Sequence, residues 1–261
     1  MAFGILVASA LGSDVTLLTV RPPHSGPEAG SRVRNAAQDH LAVPHVNHVL
    51  RRGIAETEII AEVSTGNYDL LVIGARDHRG SAGELLLGDL AYRVVKQTPI
   101  SALVVRGKVL EMQNILVCTA GHDAATATVT TGAKLAQATD ARVTLLHVAA
   151  AVPSMYTGLA QIGETLPDLL QTETPTARHL RNCAELMRSH QVEAILELRH
   201  GMPAKEILRS IERGSFDLLI VGASARQGLG RMLLDEVSQK LVAHSALPVL
   251  VARTGLDAVI T

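Results

Sequence analysis

The sequence predicts an α/β fold: two tandem, doubly wound parallel-sheet domains of Rossmann-like type. Three observations carry that reading. The chain repeats itself, its apolar runs are short and near-continuous, and helix-patterned segments separate those runs. Such runs, rich in β-branched residues and flanked by helices, imply parallel strands buried on both faces.

The repeat sets the domain organisation. YDLLVIGAR (68–76) recurs as FDLLIVGAS (216–224), and RRGIAETEI (51–59) recurs as RHGMPAKEI (199–207), each pair 148 positions apart. Upstream, GSDVTLLTV (12–20) matches TDARVTLLHV (139–148), and Gly4 matches Gly132 at a spacing of 128. The 20-residue difference is an insertion in the second copy, around PSMYTGLAQIGETLPDLLQTETPTA. The predicted domains are 1–108, which lacks its first strand, and 112–261, which is complete. GKVLEMQ (107–113) is the linker.

The second copy reads as a full alternation. NILVC (114–118) is a strand, DAATATVTTGAKLAQATD (123–140) a helix and RVTLLHV (142–148) a strand. TARHLRNCAELMRSHQ (176–191) is a helix, and AILELRH (194–200) a strand. PAKEILRSIERG (203–214) has proline at a helix start and glycine at its end, the expected asymmetry. DLLIVG (217–222), DEVSQKLVAHS (235–245) and PVLVAR (248–253) complete the unit as strand, helix and strand.

In the first copy, the counterpart of residues 114–128 is missing. FGILVASA is therefore read as the end of the first helix, because no room remains for a helix between it and VTLLTV. VTLLTV must then pair directly with DLLVIG or leave a gap between them. In either case the segment Met1–Leu11 is expected to expose an apolar patch.

Composition excludes several classes. Hydrophobic residues make up 47% of the 261, so a sizeable core is available, but aromatics are only 2%. That core must be built from Ala, Val, Leu and Ile. A net charge of −1 supplies no field for nucleic acid and no polybasic membrane patch, and so few aromatics leave no base-stacking platform. No segment is long enough to span a bilayer. The opening MAFGILVASALGSD lacks the basic start and apolar length of an export signal, so a cytoplasmic location is expected. Cys118 and Cys183 match no metal spacing and read as small buried residues of a reducing compartment. His40, His45 and His48 cluster across Pro44, which breaks any regular face for a metal. His147 and His200 fall near strand C-terminal ends, where open sheets bind ligands, and are read as hydrogen-bonded strand-end residues. No catalytic constellation is found, and the chain is read as non-enzymatic.

The strand–loop–helix–strand modules DLLVIGARDHRGSAGELLLGDLAYRVVKQTPISALVVR and DLLIVGASARQGLGRMLLDEVSQKLVAHSALPVLVAR resemble those of the universal stress protein family in its tandem form. The resemblance covers nearly the whole chain. It implies a loop of Gly, two residues, Gly, nine residues, Gly and Ser or Thr, which cradles phosphates in the members that bind ATP. It also implies an Asp after the first strand that holds the adenosine end. Backbone amides must approach phosphate closely, and a helix N-terminus adds about half a positive charge.

Each copy departs from this pattern. In the first, Gly74 opens the loop, Asp77 stands at the second glycine, and Gly88 comes one residue late and is followed by Asp89. Gly80 and Gly83 lie out of register. In the second, Gly222 is in place, but Ala225, Asp235 and Glu236 occupy the remaining positions. The adenosine Asp would fall at Ala120, after Thr119, while Asp123 is displaced and reads as a helix cap. Asp89, Asp235 and Glu236 are read as caps that satisfy helix amides and repel an anion, in preference to magnesium ligands. No cofactor is therefore expected; ATP is the one the resemblance raises.

The resemblance also implies that SALVV (101–105) and PVLVA (248–252) pair across a domain edge. They are expected to lie antiparallel about a pseudo-twofold axis, making an intramolecular pseudo-dimer, with a homodimer as a further alternative. The expected function is stress response through a protein partner or small ligand. The alternatives are an ATP-binding sensor or slow ATPase with a distorted loop, and a regulator of a transporter, since the family also occurs fused to membrane antiporters.

Overall fold

The computed structural model of the chain describes residues 2–24, 46–75, 78–79, 85–86, 88–107, 111–120, 125–149, 166–223 and 234–253. In the first half, helix α1 (Ala2–Ala10) precedes strands β1 (Val15–Arg21) and β2 (Val46–Arg52). Helix α2 (Ala55–Thr65), β3 (Leu70–Gly74), the short strands β4 (His78–Arg79) and β5 (Leu85–Leu86), α3 (Asp89–Gln97) and β6 (Ser101–Val105) follow. The second half runs β7 (Asn114–Thr119), α4 (Ala125–Thr139), β8 (Arg142–Ala149), α5 (Leu166–Leu170) and α6 (Pro175–Ser189). It continues with β9 (Ala194–His200), α7 (Pro203–Arg213), β10 (Leu218–Gly222), α8 (Glu236–His244) and β11 (Val249–Ala252).

Local chemistry sets the helix starts. Thr174 caps α6 by accepting from the Ala177 amide, with Pro175 at the first turn. Pro203 opens α7, and Gly214 follows its end. Helix α5, inside the insertion, is an element the sequence pattern does not announce.

One seven-stranded sheet organises the molecule, in the order β3-β6-β11-β10-β7-β8-β9. The five strands of the second half are parallel, with β7 between β8 and β10. The expected antiparallel pairing of β6 with β11 is present. It is isologous: Leu103 faces Leu250, its own counterpart in the repeat, while Val104 faces Val249 and Ala102 faces Val251. The pseudo-twofold axis passes through that pair. Tyr92 and Gln239, also counterparts, hydrogen bond across the same axis at 2.8 Å.

Two buried arginines fasten the junction. Arg106, just past β6, donates to the carbonyls of Val242 and Ser245 at the C-terminal end of α8. Its counterpart Arg253, just past β11, donates to the Val95 carbonyl in the last turn of α3 at 3.0 Å. Each half thus supplies a cation to the negative end of the other half's helix.

The core has two layers, one on each face of the sheet. Helices α1, α4 and α6 cover one face, where Phe3, Val7, Val129 and Met187 meet Leu103, Ile115, Val117 and Ile220. Helices α3, α7 and α8 cover the other, where Val95, Ile207 and Leu241 meet Val104, Leu116 and Leu219. Alternate strand residues feed alternate layers, so the near-continuous apolar runs have both faces buried.

The first half takes the gapped form. Strands β1 and β2 make their own two-stranded parallel sheet, separate from β3. Residues 2–10 are helical, so no strand precedes β1 among the described residues. A polar knot holds this small sheet: Glu62 of α2 accepts from Arg51 Nε at 2.5 Å and from the Tyr68 hydroxyl at 2.7 Å. The expected apolar patch over Met1–Leu11 is corrected. Phe3 and Val7 are buried, because α1 lies on the sheet where α4 continues its layer. Exposure falls instead on β3, where Val72 is 42% exposed. No helix among the described residues is long and apolar enough to cross a membrane.

Candidate functional site

The strand order reverses direction at β7, since β8 lies on one side and β10 on the other. In open α/β sheets this switch point, at the strand C-terminal ends, is where ligands bind. A cleft of about 160 Å³ sits there. Its floor is Cys118 and Thr119 of β7, with Ala120 after them. Its walls are Leu146 to Val148 of β8, Val221 and Gly222 of β10, and the first turns of α7 and α8.

Electrostatics at the α8 end are set by Asp235. It is the N-cap, and its Oδ1 accepts from the Ser238 amide at 2.7 Å. The Ser238 hydroxyl donates to the Gly222 carbonyl at 2.9 Å, pinning the helix start to the end of β10. A carboxylate thus stands among the amides that would receive an anion.

The cap reading holds for Asp235 and is corrected for the other two carboxylates. Glu236 is exposed and pairs with Lys240 one turn on at 2.7 Å, which holds its carboxyl below the ordinary range. Its position already inside the helix leaves capping to the residue before it. Asp89 likewise lies inside α3, whose N-cap is Gly88 with no side-chain cap bond. Asp89 contributes through the helix dipole alone.

The rest of the cleft is neutral. His147 Nδ1 donates to the Thr119 carbonyl at 3.1 Å and lies 3.4 Å from the Thr119 hydroxyl. Burial lowers its pKa against the raising effect of that bond, so the imidazole is held neutral. His147 is thus both the hydrogen-bonded strand-end residue that was expected and part of the cleft wall. Burial raises the Cys118 thiol far above its usual range and the Cys183 thiol to about 11, which keeps both protonated and unreactive. Cys183 lies 3.6 Å from His179 Nε2, and the His179 ring stands 5.7 Å from that of His147. No cluster of three metal-ligating side chains occurs among the described residues.

The predicted site residues divide accordingly. Thr119, Ala120, Gly222 and Asp235 converge on the cleft, while Glu236 points away from it. Gly74 ends β3 as Gly222 ends β10, and Gly88 opens α3, but no counterpart of β7 stands beside them. Gly80, Gly83, Asp77, Asp123, Ala225, His40 and His45 lie outside the described residues. Sequence reasoning missed Ser238, because the loop pattern places its hydroxyl two residues earlier. It also missed Arg106 and Arg253, whose signal was present: the same cation follows the last strand of both copies.

A doubly wound sheet with a cleft at its switch point, bounded by a strand-end glycine and a helix N-terminus, defines a Rossmann-like α/β protein. The chain belongs to the universal stress protein family, whose model matches it twice, over residues 2–106 and 111–253. It is 30% identical over 144 residues to a universal stress protein of Bacillus subtilis, covering 53% of this chain and 97% of that one. It is 28% identical over 143 residues to a universal stress protein of Methanocaldococcus jannaschii, covering 54% of this chain and 82% of the relative. Among solved structures, a universal stress protein from Archaeoglobus fulgidus superposes with a TM-score of 0.71 at 17% identity. That match covers 96% of this chain and 92% of the other, and shows a shared fold.

Proposed function

We propose that this protein is a cytoplasmic, non-enzymatic stress-response protein that acts by binding a protein partner or small ligand, its nucleotide site being degenerate in both halves. The observation that carries this is the Asp235 cap on the Ser238 amide. It occupies the α8 amides with a fixed negative charge where phosphate would need a vacant positive end. Ala120 at the adenosine position removes the second anchor. The first half has no strand in the place of β7 among the described residues, so Gly74 and Gly88 have no floor between them. Neutral His147, the protonated Cys118 thiol and an Asp235 carboxylate already engaged as a helix cap suit binding over turnover.

Calorimetry with ATP and magnesium tests the reading. The expected result is no binding tighter than about 100 µM, or roughly −5.5 kcal/mol. Asp235→Gly should strengthen binding, and adding Glu236→Ser should change little, because Glu236 faces Lys240. Micromolar affinity in the unaltered protein would replace this proposal with the ATP-sensor reading.

A further inference from the structure

We propose that two copies of this protein join edge to edge through β9, which pairs antiparallel with its own twofold mate about Leu198. The surface is a strand edge that supplies no wall of the cleft, so the outcome of the ATP titration leaves it standing.

Strand β9 ends the seven-stranded sheet, and β8 is its one neighbour among the described residues. The register fixes where its backbone groups point. The Gly201 amide donates to the Ala149 carbonyl, and Ala149 stands beside His200. Backbone groups alternate in direction along a strand, so Glu197 and Arg199 turn theirs to β8, while Leu196, Leu198 and His200 turn theirs outward. None of these three has a backbone partner on the outer side among the described residues. Their amides and carbonyls line an open edge, a ready template for another strand.

Charge selects the partner and the register. A twofold mate must match outward residues with outward residues, and three such registers keep most of the strand paired. Centred on Glu197, the pairing opposes that carboxylate to itself, and like charges directly opposite destabilise a ladder. Centred on Leu196, it sets Glu197 against Ile195. Centred on Leu198, it sets Glu197 of each copy against Arg199 of the other, so opposite charges meet twice. Both side chains share one face of the sheet, where Arg199 Nε donates to Glu197 Oε1 at 2.9 Å within the strand. The exposed apolar residues agree with that register. Ile195 is 63% exposed and Met202 67%, at opposite ends of β9, and the Leu198 axis brings the Ile195 end of one copy beside the Met202 end of the other.

The first half provides the contrast. The counterparts of Ile195, Glu197 and Arg199 in β2 are Asn47, Val49 and Arg51, so the same axis there would set Arg51 against Val49. Arg51 is also held by Glu62 of α2. The complementary pair belongs to β9 and not to β2.

Sedimentation equilibrium of the full chain tests this. A reversible dimer is expected below about 1 mM. Glu197→Arg or Arg199→Glu alone should weaken it by at least about tenfold, because each opposes like charges twice. The two single variants, each confirmed folded by circular dichroism, should dimerise with each other when mixed, since one copy then carries two cations and the other two carboxylates. Loss of the bond within the strand does not explain that rescue, because both variants lack it. Hydrogen exchange of the unaltered protein gives a second measurement. Amides of Leu196, Leu198 and His200 should gain protection as concentration rises, while those of Glu197 and Arg199 are already protected by β8. The proposal is overturned by a monomer at about 1 mM, by a dimer that neither single reversal weakens, or by folded variants that fail to pair when mixed. Concentration-dependent protection that leaves those three amides exchanging freely overturns it as well.

Discussion

Among the described residues, the two halves contain matching flanking strands, with a strand between them in the second half and none in the first. Leu218, Ile220, Val143 and Leu145 of the second half are fully buried, while Leu70, Val15 and Leu17 of the first are only partly buried and Val72 is exposed. The side chains are nearly the same; what differs is a six-residue strand. Burial, and with it roughly 1.5–3 kcal/mol for each large apolar side chain, belongs to the neighbour as much as to the residue. Near-equal sequences therefore give one half a closed core and the other a sheet that stops at β3.

The comparison can be broken most directly by hydrogen exchange. Amides of β7, β8 and β10 should exchange more slowly than those of β1 and β2 by orders of magnitude, since each additional 1.4 kcal/mol of opening energy is about tenfold. Equal protection in both halves would show that the missing strand costs the first half nothing.

Core truncation comes next. Ile220→Ala should cost about 2–5 kcal/mol in denaturant unfolding. The corresponding Val72→Ala should cost less than about 1 kcal/mol, because the side chain is already 42% exposed. A cost at Val72 matching that at Ile220 would mean that Val72 is as well covered in solution as Ile220.

The paired glycines sharpen it further. Gly132→Ala forces a methyl against Val117, Met187 and Ile220 in a closed core, and should cost about 1–3 kcal/mol. Gly4→Ala meets Val72, which has solvent to move into. The gain of roughly 1 kcal/mol in helix propensity should offset most of that strain. Thermal melts of the two variants would separate the cases.

The smallest expected effect is on pH dependence. His147 has Thr19 as its counterpart, so only the second half carries this buried imidazole. Its folded pKa is lowered, by burial first and by His200 in addition, so the unfolded chain binds the proton more readily. The stability it contributes is whole above about pH 6.5 and is lost as pH falls below that value. His147→Asn should flatten the decline between about pH 7 and 5, with no matching change on altering Thr19. An unchanged pH profile would show that another group sets the acid limit.

Much of this was legible in the chain because it is written locally or by repetition. The alternating pattern marks out the strands of the second half, and the duplication, with the family resemblance, points to the β6–β11 pairing before any coordinate is known. The departures from the family's loop pattern can be read residue by residue at Ala225, Asp235 and Ala120. Capping was less legible, since Asp235, Glu236 and Asp89 look alike as carboxylates near a helix start. Which one caps depends on where the first helical residue falls, and that shift of one position also turns Glu236 toward Lys240.

The sequence by itself determined the repeat, the strands and the departures from the family's loop pattern, because each depends on spacing along the chain. Tertiary structure alone decided that β1 leaves a gap beside β3, that α1 buries Phe3 and Val7, and that Arg106 and Arg253 cross the axis to the opposite helices. Those outcomes depend on which surfaces meet across about fifty to more than a hundred residues of chain. A residue's burial and hydrogen-bond partners there are set by its neighbours in space, which local pattern does not encode.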